Sequence, residues 1–135
     1  MKKFFILFVA MLILIGCQSK PVTGETTSAA GGSYQNIMPA ELQTMLKNKD
    51  FVLINVHIPF AGNIPNTDLS IPYNEIQQNR SQFPEDKSAK IVLYCSSGRM
   101  SQIAAEELVS LGYTNIWNLE GGMVDWERAG FNLEK

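Results

Sequence analysis

The stretch KIVLYCSSGRMSQIAAEEL, residues 90–108, contains the pattern that decides the fold. Its first six residues form a mostly apolar run with β-branched Ile91 and Val92, which is typical of a strand buried on both faces. Small and cationic residues follow, and apolar residues then recur at helical spacing as far as Gly112, a residue that favours a helix end. The stretch therefore predicts a buried strand, a tight loop and a helix, with Cys95 at the corner.

Strand and helix patterns alternate along the rest of the chain. This order predicts an α/β domain in which a parallel sheet carries helices on both faces. In such sheets, ligands bind beyond the carboxyl ends of the strands, which is where Cys95 stands. The predicted strands cover 51–56, 69–71, 90–95 and 115–120, and the predicted helices cover 39–48, 73–79, 100–111 and part of 121–130.

The residues after Cys95 favour a reactive sulfur. A thiol reacts as the thiolate, and the free N–H groups and the dipole at a helix start stabilise an anion. Gly98 allows several backbone N–H groups to converge on one atom, and Arg99 adds a permanent positive charge. The alternative is that Cys95 is a small buried apolar residue that ends a strand. Further hydroxyl donors would come from Ser96, Ser97 and Ser101.

Residues 94–131, YCSSGRMSQIAAEELVSLGYTNIWNLEGGMVDWERAGF, resemble the C-terminal half of a rhodanese-homology domain. The loop of that family commonly reads C-x-x-G-x-R-S and precedes a helix. Its end commonly has a glycine pair, then a tryptophan, a glycine and an aromatic residue. The resemblance extends over residues 37–131. Independently of the resemblance, Trp126 is expected to be a core residue. The matching residues at the end are Gly121, Gly122, Trp126, Gly130 and Phe131.

The resemblance implies a rhodanese-like α/β fold with a five-stranded, mainly parallel sheet and helices on both faces. It also implies a reaction in which Cys95 is catalytic. Cys95 would take sulfane sulfur from a small sulfur-containing anion such as thiosulfate, or from a persulfide donor, and hold it as a persulfide. The sulfur would then pass to a thiol or to cyanide, with no cofactor and no metal. The implied substrate-binding loop is Ser96, Ser97, Gly98, Arg99, Met100 and Ser101.

The chain departs from the family pattern at two places. At the sixth loop position, where the family often has arginine, the residue is Met100, and Arg99 stands one position earlier. This leaves the affinity for a thiosulfate-like anion open. Where the family often reads Asp-Val-Arg, the chain has Asn55, Val56 and His57. His57 follows a predicted strand and is a candidate pocket residue, although a loop histidine is also common as a structural or exposed residue.

The first residues, MKKFFILFVAMLILIGC, resemble a bacterial lipoprotein signal peptide. The apolar run of 4–15 would span roughly 18 Å as a helix, which is short against a hydrocarbon core of about 30 Å. The sequence LIGC resembles a lipobox, which implies that residues 1–16 are removed and that Cys17 is lipidated. The alternatives are an uncleaved signal anchor or a buried cysteine. We therefore expect an extracytoplasmic lipoprotein anchored in the cell membrane or the outer membrane.

The predicted organisation is a signal peptide over 1–16, a lipidated flexible tether over 17–33, and a rhodanese-like domain over 34–135. The tether is expected because residues 18–33 are rich in small and polar residues. Loss of the signal peptide would change the formal charge from -2 to -4, so nucleic acid is not an expected partner. Because Cys95 would be the only free thiol, an intramolecular disulfide and dithiol chemistry are excluded.

Three functions fit the pattern to different degrees. The first is a sulfurtransferase that works through a Cys95 persulfide. The second is a non-catalytic rhodanese-type module that binds a partner or senses reactive sulfur species. The third is a phosphatase or an arsenate reductase with a C-x5-R loop, and it is disfavoured because Ser101 stands where the arginine is required.

Overall fold

The computed structural model describes Val22 and residues 24–135, so the predicted signal peptide and Cys17 lie outside the described residues. In the described part of the chain, no helix is both long and apolar enough to cross a bilayer. The elements in chain order are β1 (Glu25–Ala29), β2 (Gly32–Ile37), α1 (Pro39–Leu46), β3 (Val52–Asn55), β4 (Leu69–Ser70), a 3-10 helix (Arg80–Gln82), β5 (Ile91–Tyr94), α2 (Arg99–Ser110), β6 (Ile116–Leu119) and α3 (Gly122–Arg128).

The strands form one sheet in the order β1-β2-β6-β5-β3-β4. All neighbouring pairs are parallel except β1 and β2, which are antiparallel. In the central register, Asn55 of β3 lies beside Tyr94 of β5, and Leu93 of β5 lies beside Asn118 of β6. The carboxyl ends of the parallel strands therefore meet at one edge, and Cys95 lies at that edge between β6 and β3.

The two faces of the sheet are covered by different helices. On one face, Leu93 belongs to the same core cluster as Ala104 and Leu108 of α2. On the other face, Val92 belongs to a second cluster that includes residues of α1 and α3. Trp126 of α3 is 1% exposed in that second cluster, as expected for a core residue. The predicted α/β fold with helices on both faces is confirmed.

The sheet has six strands instead of the five that the resemblance implies, and the strands predicted from the sequence pattern included neither β1, which lies within the predicted tether, nor β2. Residues 24–33 therefore belong to the folded domain, which does not begin at Tyr34 as predicted. β1 pairs with β2 from Glu25 to Ala29, and the Asn36 side-chain amide donates to Thr27 Oγ1 at 2.6 Å. Backbone pairing of this kind needs no large apolar side chains, so the small and polar residues of β1 gave no strand pattern.

The segment 73–79, predicted as a helix, forms a series of turns that leads into the 3-10 helix. The N–H of Glu75 donates to the carbonyl of Pro72 at 2.9 Å, which is a turn contact. The Asn79 side chain also donates to the Glu75 carbonyl at 2.9 Å. The Asn79 N–H donates to the same carbonyl at 3.2 Å, so the segment contains a helical hydrogen bond without forming a regular helix.

Candidate active site

Cys95 follows β5 directly and is only 1% exposed. A short loop of residues 96–98 leads from it to Arg99, where α2 begins. Gly98 has a φ of 104°, a left-handed conformation that residues with a Cβ adopt at a cost. The glycine therefore allows the chain to turn from the strand into the helix immediately after the cysteine.

The sulfur of Cys95 receives a backbone hydrogen bond. The Gly98 N–H donates to Sγ over 3.0 Å, and Ser101 Oγ lies 3.5 Å from Sγ. The buried Ser101 hydroxyl donates its one hydrogen to the Gly98 carbonyl at 3.0 Å. In this arrangement a thiol can donate to Ser101 Oγ, and rotation of the hydroxyl would offer a donor to a thiolate.

The loop also presents N–H groups that find no acceptor in the described part of the chain. The carbonyls of Cys95 and Ser96 accept hydrogen bonds from the N–H groups of Met123 and Val124, each at 2.9 Å. Because C=O and N–H point in opposite directions across a trans peptide, the N–H groups of Ser96 and Ser97 face away from α3. Across residues 24–135, neither N–H donates to a protein acceptor. Successive free N–H groups of this kind form concave anion-binding sites.

The side chains of the loop differ in their surroundings. Ser97 and Arg99 are exposed, and Ser96 is half-buried. Arg99 forms no hydrogen bond or ion pair with any other described residue, so its charge is free to meet an approaching anion. Met100 is half-buried and packs against the core cluster that includes Cys95. Position 100 therefore provides apolar packing where the family pattern often has a cation.

His57 lies at the same edge of the sheet as Cys95. It follows β3, the parallel neighbour of β5, and the N–H of Val56 donates to the Tyr94 carbonyl at 2.9 Å. The His57 ring is half-buried, and its Nδ1 atom is buried without a hydrogen-bond partner among the described residues. The structure shows no hydrogen bond between His57 and Cys95, so the two lie at the same edge without direct pairing.

Asn55 is a residue of this edge whose role the sequence reasoning did not foresee. It is buried at the end of β3, and its amide donates to the Gly62 carbonyl at 2.9 Å and to Asn63 Oδ1 at 3.0 Å. Its own Oδ1 accepts the N–H of His57 at 2.9 Å. The only sequence signal was a polar residue near the end of an apolar run. Asn55 thus fixes the loop that carries His57.

Tyr94 fixes the same loop from the neighbouring strand. Its hydroxyl accepts the Ile64 N–H at 3.0 Å and lies 2.7 Å from Thr67 Oγ1. Burial raises the pKa of Tyr94 above its ordinary value, and the hydrogen bonds from Thr67 and Ile64 partly oppose that rise. The residue before the cysteine is therefore a neutral, hydrogen-bonded phenol that joins β5 to the loop after β3.

The comparisons with known proteins agree on one family. The family model described as "Rhodanese-like domain" matches residues 38–129. A protein of Allochromatium vinosum named "Sulfurtransferase" is 33% identical over 94 residues, which cover 67% of this chain and 85% of that protein. An uncharacterized protein of Synechocystis is 34% identical over 101 residues, which cover 73% of this chain and only 55% of that protein.

A solved structure agrees with these matches. The crystal structure of a rhodanese-related protein from Thermoplasma volcanium superimposes with a TM-score of 0.64 at 30% identity, and covers 74% of this chain and 97% of that one. Together, the family match and the relative named as a sulfurtransferase support a sulfurtransferase-type role. The fold, the loop after β5 and the extent of the family match show that this chain belongs to the rhodanese-like domain family.

Proposed function

We propose that this protein is an extracytoplasmic sulfurtransferase that carries sulfane sulfur on Cys95 as a persulfide. The observation that carries the proposal is the environment of Sγ. The atom receives the Gly98 N–H at 3.0 Å in a loop whose Ser96 and Ser97 N–H groups have no acceptor among the described residues. Such donors stabilise negative charge on the sulfur and on an anionic donor.

The reaction divides into two balanced steps. In the first, the Cys95 thiolate attacks the sulfane sulfur of thiosulfate or of a persulfide. A bond forms between Sγ and that sulfur, the donor's sulfur–sulfur bond breaks, and sulfite or a thiolate leaves with the electron pair. In the second, cyanide or an acceptor thiolate attacks the outer sulfur, the bond to Sγ breaks, and the Cys95 thiolate returns. The products are thiocyanate or an acceptor persulfide.

Loading of the sulfur tests this proposal directly. Mass spectrometry of the peptide that contains Cys95 is expected to show a gain of one sulfur atom after exposure to thiosulfate, a polysulfide or a small persulfide. Cyanide or a reductant should remove the added mass, and Cys95→Ser should abolish the gain at this position. A wild-type protein that stays unmodified with every donor would instead favour the non-catalytic module that binds a partner or senses sulfur species.

The proposed location depends on Cys17, which lies outside the described residues. The resemblance of LIGC to a lipobox supports lipid attachment at this thiol, and two acyl chains anchor a protein stably where one does not. Cys17→Ser is expected to leave a soluble or unprocessed protein, whereas the control Cys95→Ser should keep the anchor. Detergent partitioning compares them, and equal partitioning of the two variants after signal removal would contradict the proposed anchor.

A further inference from the structure

α3 begins directly against the loop that contains Cys95. The first N–H groups of a helix have no acceptor within the helix. Here the N–H groups of Met123 and Val124 instead hold the carbonyls of Cys95 and Ser96, each at 2.9 Å. The start of α3 therefore supplies two of the contacts that fix the orientation of the loop.

Gly122 is the point of closest approach between α3 and this loop. A Cβ atom at this position would lie 2.3 Å from the Cys95 carbonyl oxygen and 2.7 Å from the carbonyl carbon and oxygen of Ser96. These are backbone atoms, so no flexible side chain can move aside to make room. The φ of 56° at Gly122 adds a left-handed backbone conformation. Any side chain here would push the loop away from α3.

We propose that Gly122 is a positioning residue for sulfur transfer, a role that rests on the proposed function. Its lack of a side chain lets α3 hold the two carbonyls. The held carbonyls turn the N–H groups of Ser96 and Ser97 away from α3 and set the loop so that the Gly98 N–H reaches Sγ. No atom of Gly122 needs to touch the substrate. A methyl group would tilt these peptide planes and misplace the donors that stabilise charge on the sulfur.

Gly122→Ala tests the proposal against Gly130→Ala as a matched control. Gly130 also has a left-handed φ, 92°, but a Cβ there would meet nothing within 4 Å. The control therefore introduces backbone strain without the collision. At saturating donor, the first-order rate of sulfur loading on Cys95 should fall about 10- to 100-fold in Gly122→Ala, the range that small misplacements of catalytic groups cause. Gly130→Ala should load at the wild-type rate.

A temperature condition and a hydrogen-exchange measurement separate a positioning role of Gly122 from a general loss of stability. Loading is measured well below the unfolding temperature of each variant, so that the folded populations are equal. Amide hydrogen exchange at Met123 and Val124 should become faster in Gly122→Ala and stay slow in Gly130→Ala. Equal loading rates in the two folded variants would overturn the proposal.

A second variant covers the case in which Gly122→Ala fails to fold. Val124→Pro removes the N–H that holds the Ser96 carbonyl, and because Val124 is the third residue of α3, no hydrogen bond within the helix is lost. Val124→Ala shortens the same exposed side chain and keeps the N–H. Sulfur loading is expected to be at least about tenfold slower in Val124→Pro than in Val124→Ala. Equal rates would overturn the proposal.

The failure of this inference is distinguishable from the failure of the proposed function. If the wild-type protein takes sulfur from no donor, the proposed function is wrong. The positioning of the loop is then decided by the rate at which iodoacetamide alkylates Cys95. A rate in Gly122→Ala that differs more than about threefold from that in Gly130→Ala supports the positioning role, and equal rates overturn it.

Discussion

At the residue scale, Met100 distinguishes this loop from the pattern common in its family. Its half-buried side chain packs against the cluster around Cys95 and brings no charge to the sulfur. The nearest cation in the loop is the exposed Arg99. A doubly charged donor such as thiosulfate would therefore meet the backbone N–H groups and Arg99, whereas a persulfide depends less on a second cation.

Met100→Arg is expected to increase the use of thiosulfate more than the use of a small persulfide. A hydrogen bond to a charged group contributes about 1.5–3 kcal/mol, so KM for thiosulfate should fall roughly tenfold or more. The control Met100→Leu keeps the apolar packing without adding charge. Steady-state kinetics with both donors measure the effect, and an equal change for the two donors would show that the new guanidinium does not meet the anion.

At the element scale, the corner after β5 is the part that could be predicted from the sequence. The apolar run before Cys95 and the helical pattern after Gly98 are local signals, and both were found. β1 was missed because it is held by backbone pairing and carries only small or polar residues. The close approach of Gly122 to the Cys95 carbonyl was missed because it joins segments that are distant in the sequence. Asn55 was missed because its partners lie in a loop without a periodic pattern.

The contribution of β1 can be measured by shortening the chain. A protein that begins at residue 32 is expected to be less stable than one that begins at residue 22, because β2 loses five paired residues. The net loss should be about 1–3 kcal/mol, since hydrogen bonds contribute about 0.5–1.5 kcal/mol each and the ordering entropy of β1 is recovered. Denaturant unfolding measures the change. Equal stabilities would show that β1 contributes nothing to the stability of the fold. Sulfur loading should persist in both proteins, because β2 and β6 separate β1 from β5 in the sheet.

At the scale of the whole molecule, Tyr94 couples the stability of the fold to alkaline pH. Its raised pKa means that the folded protein favours the neutral phenol. This contribution to the free energy of unfolding is fully present below the ordinary tyrosine pKa of about 10 and is lost as the pH rises through the raised value. Burial raises the pKa of Tyr34 in the same sense, so both residues favour unfolding in alkali.

Tyr94→Phe should separate the contribution of the Tyr94 hydrogen bond to stability from the effect of its ionisation in alkali. At neutral pH the variant is expected to lose about 1–3 kcal/mol, because the buried Ile64 N–H loses its acceptor. Above pH 10 or so, the variant should lose less further stability than the wild type, since one group no longer ionises on unfolding. Tyr34→Phe removes the other tyrosine with a raised pKa but keeps the acceptor of the Ile64 N–H, so it should reduce the alkaline loss without the loss that the unpaired Ile64 N–H causes at neutral pH. Chemical denaturation across pH measures both effects, and parallel curves for wild type and Tyr94→Phe would contradict the assignment.

The two edge strands of the sheet also determine how readily neighbouring molecules pair through their strands. One edge is β4, which is only two residues long, and the other is β1, which carries Glu25 and three hydroxyl side chains. Long, flat, apolar edges invite strand pairing between molecules, whereas short or charged edges discourage it. The hairpin at the start of the domain therefore replaces β2 as the open edge with a polar strand that discourages pairing with other copies. Many copies crowded on one surface would stay separate folded units instead of joining into a shared sheet.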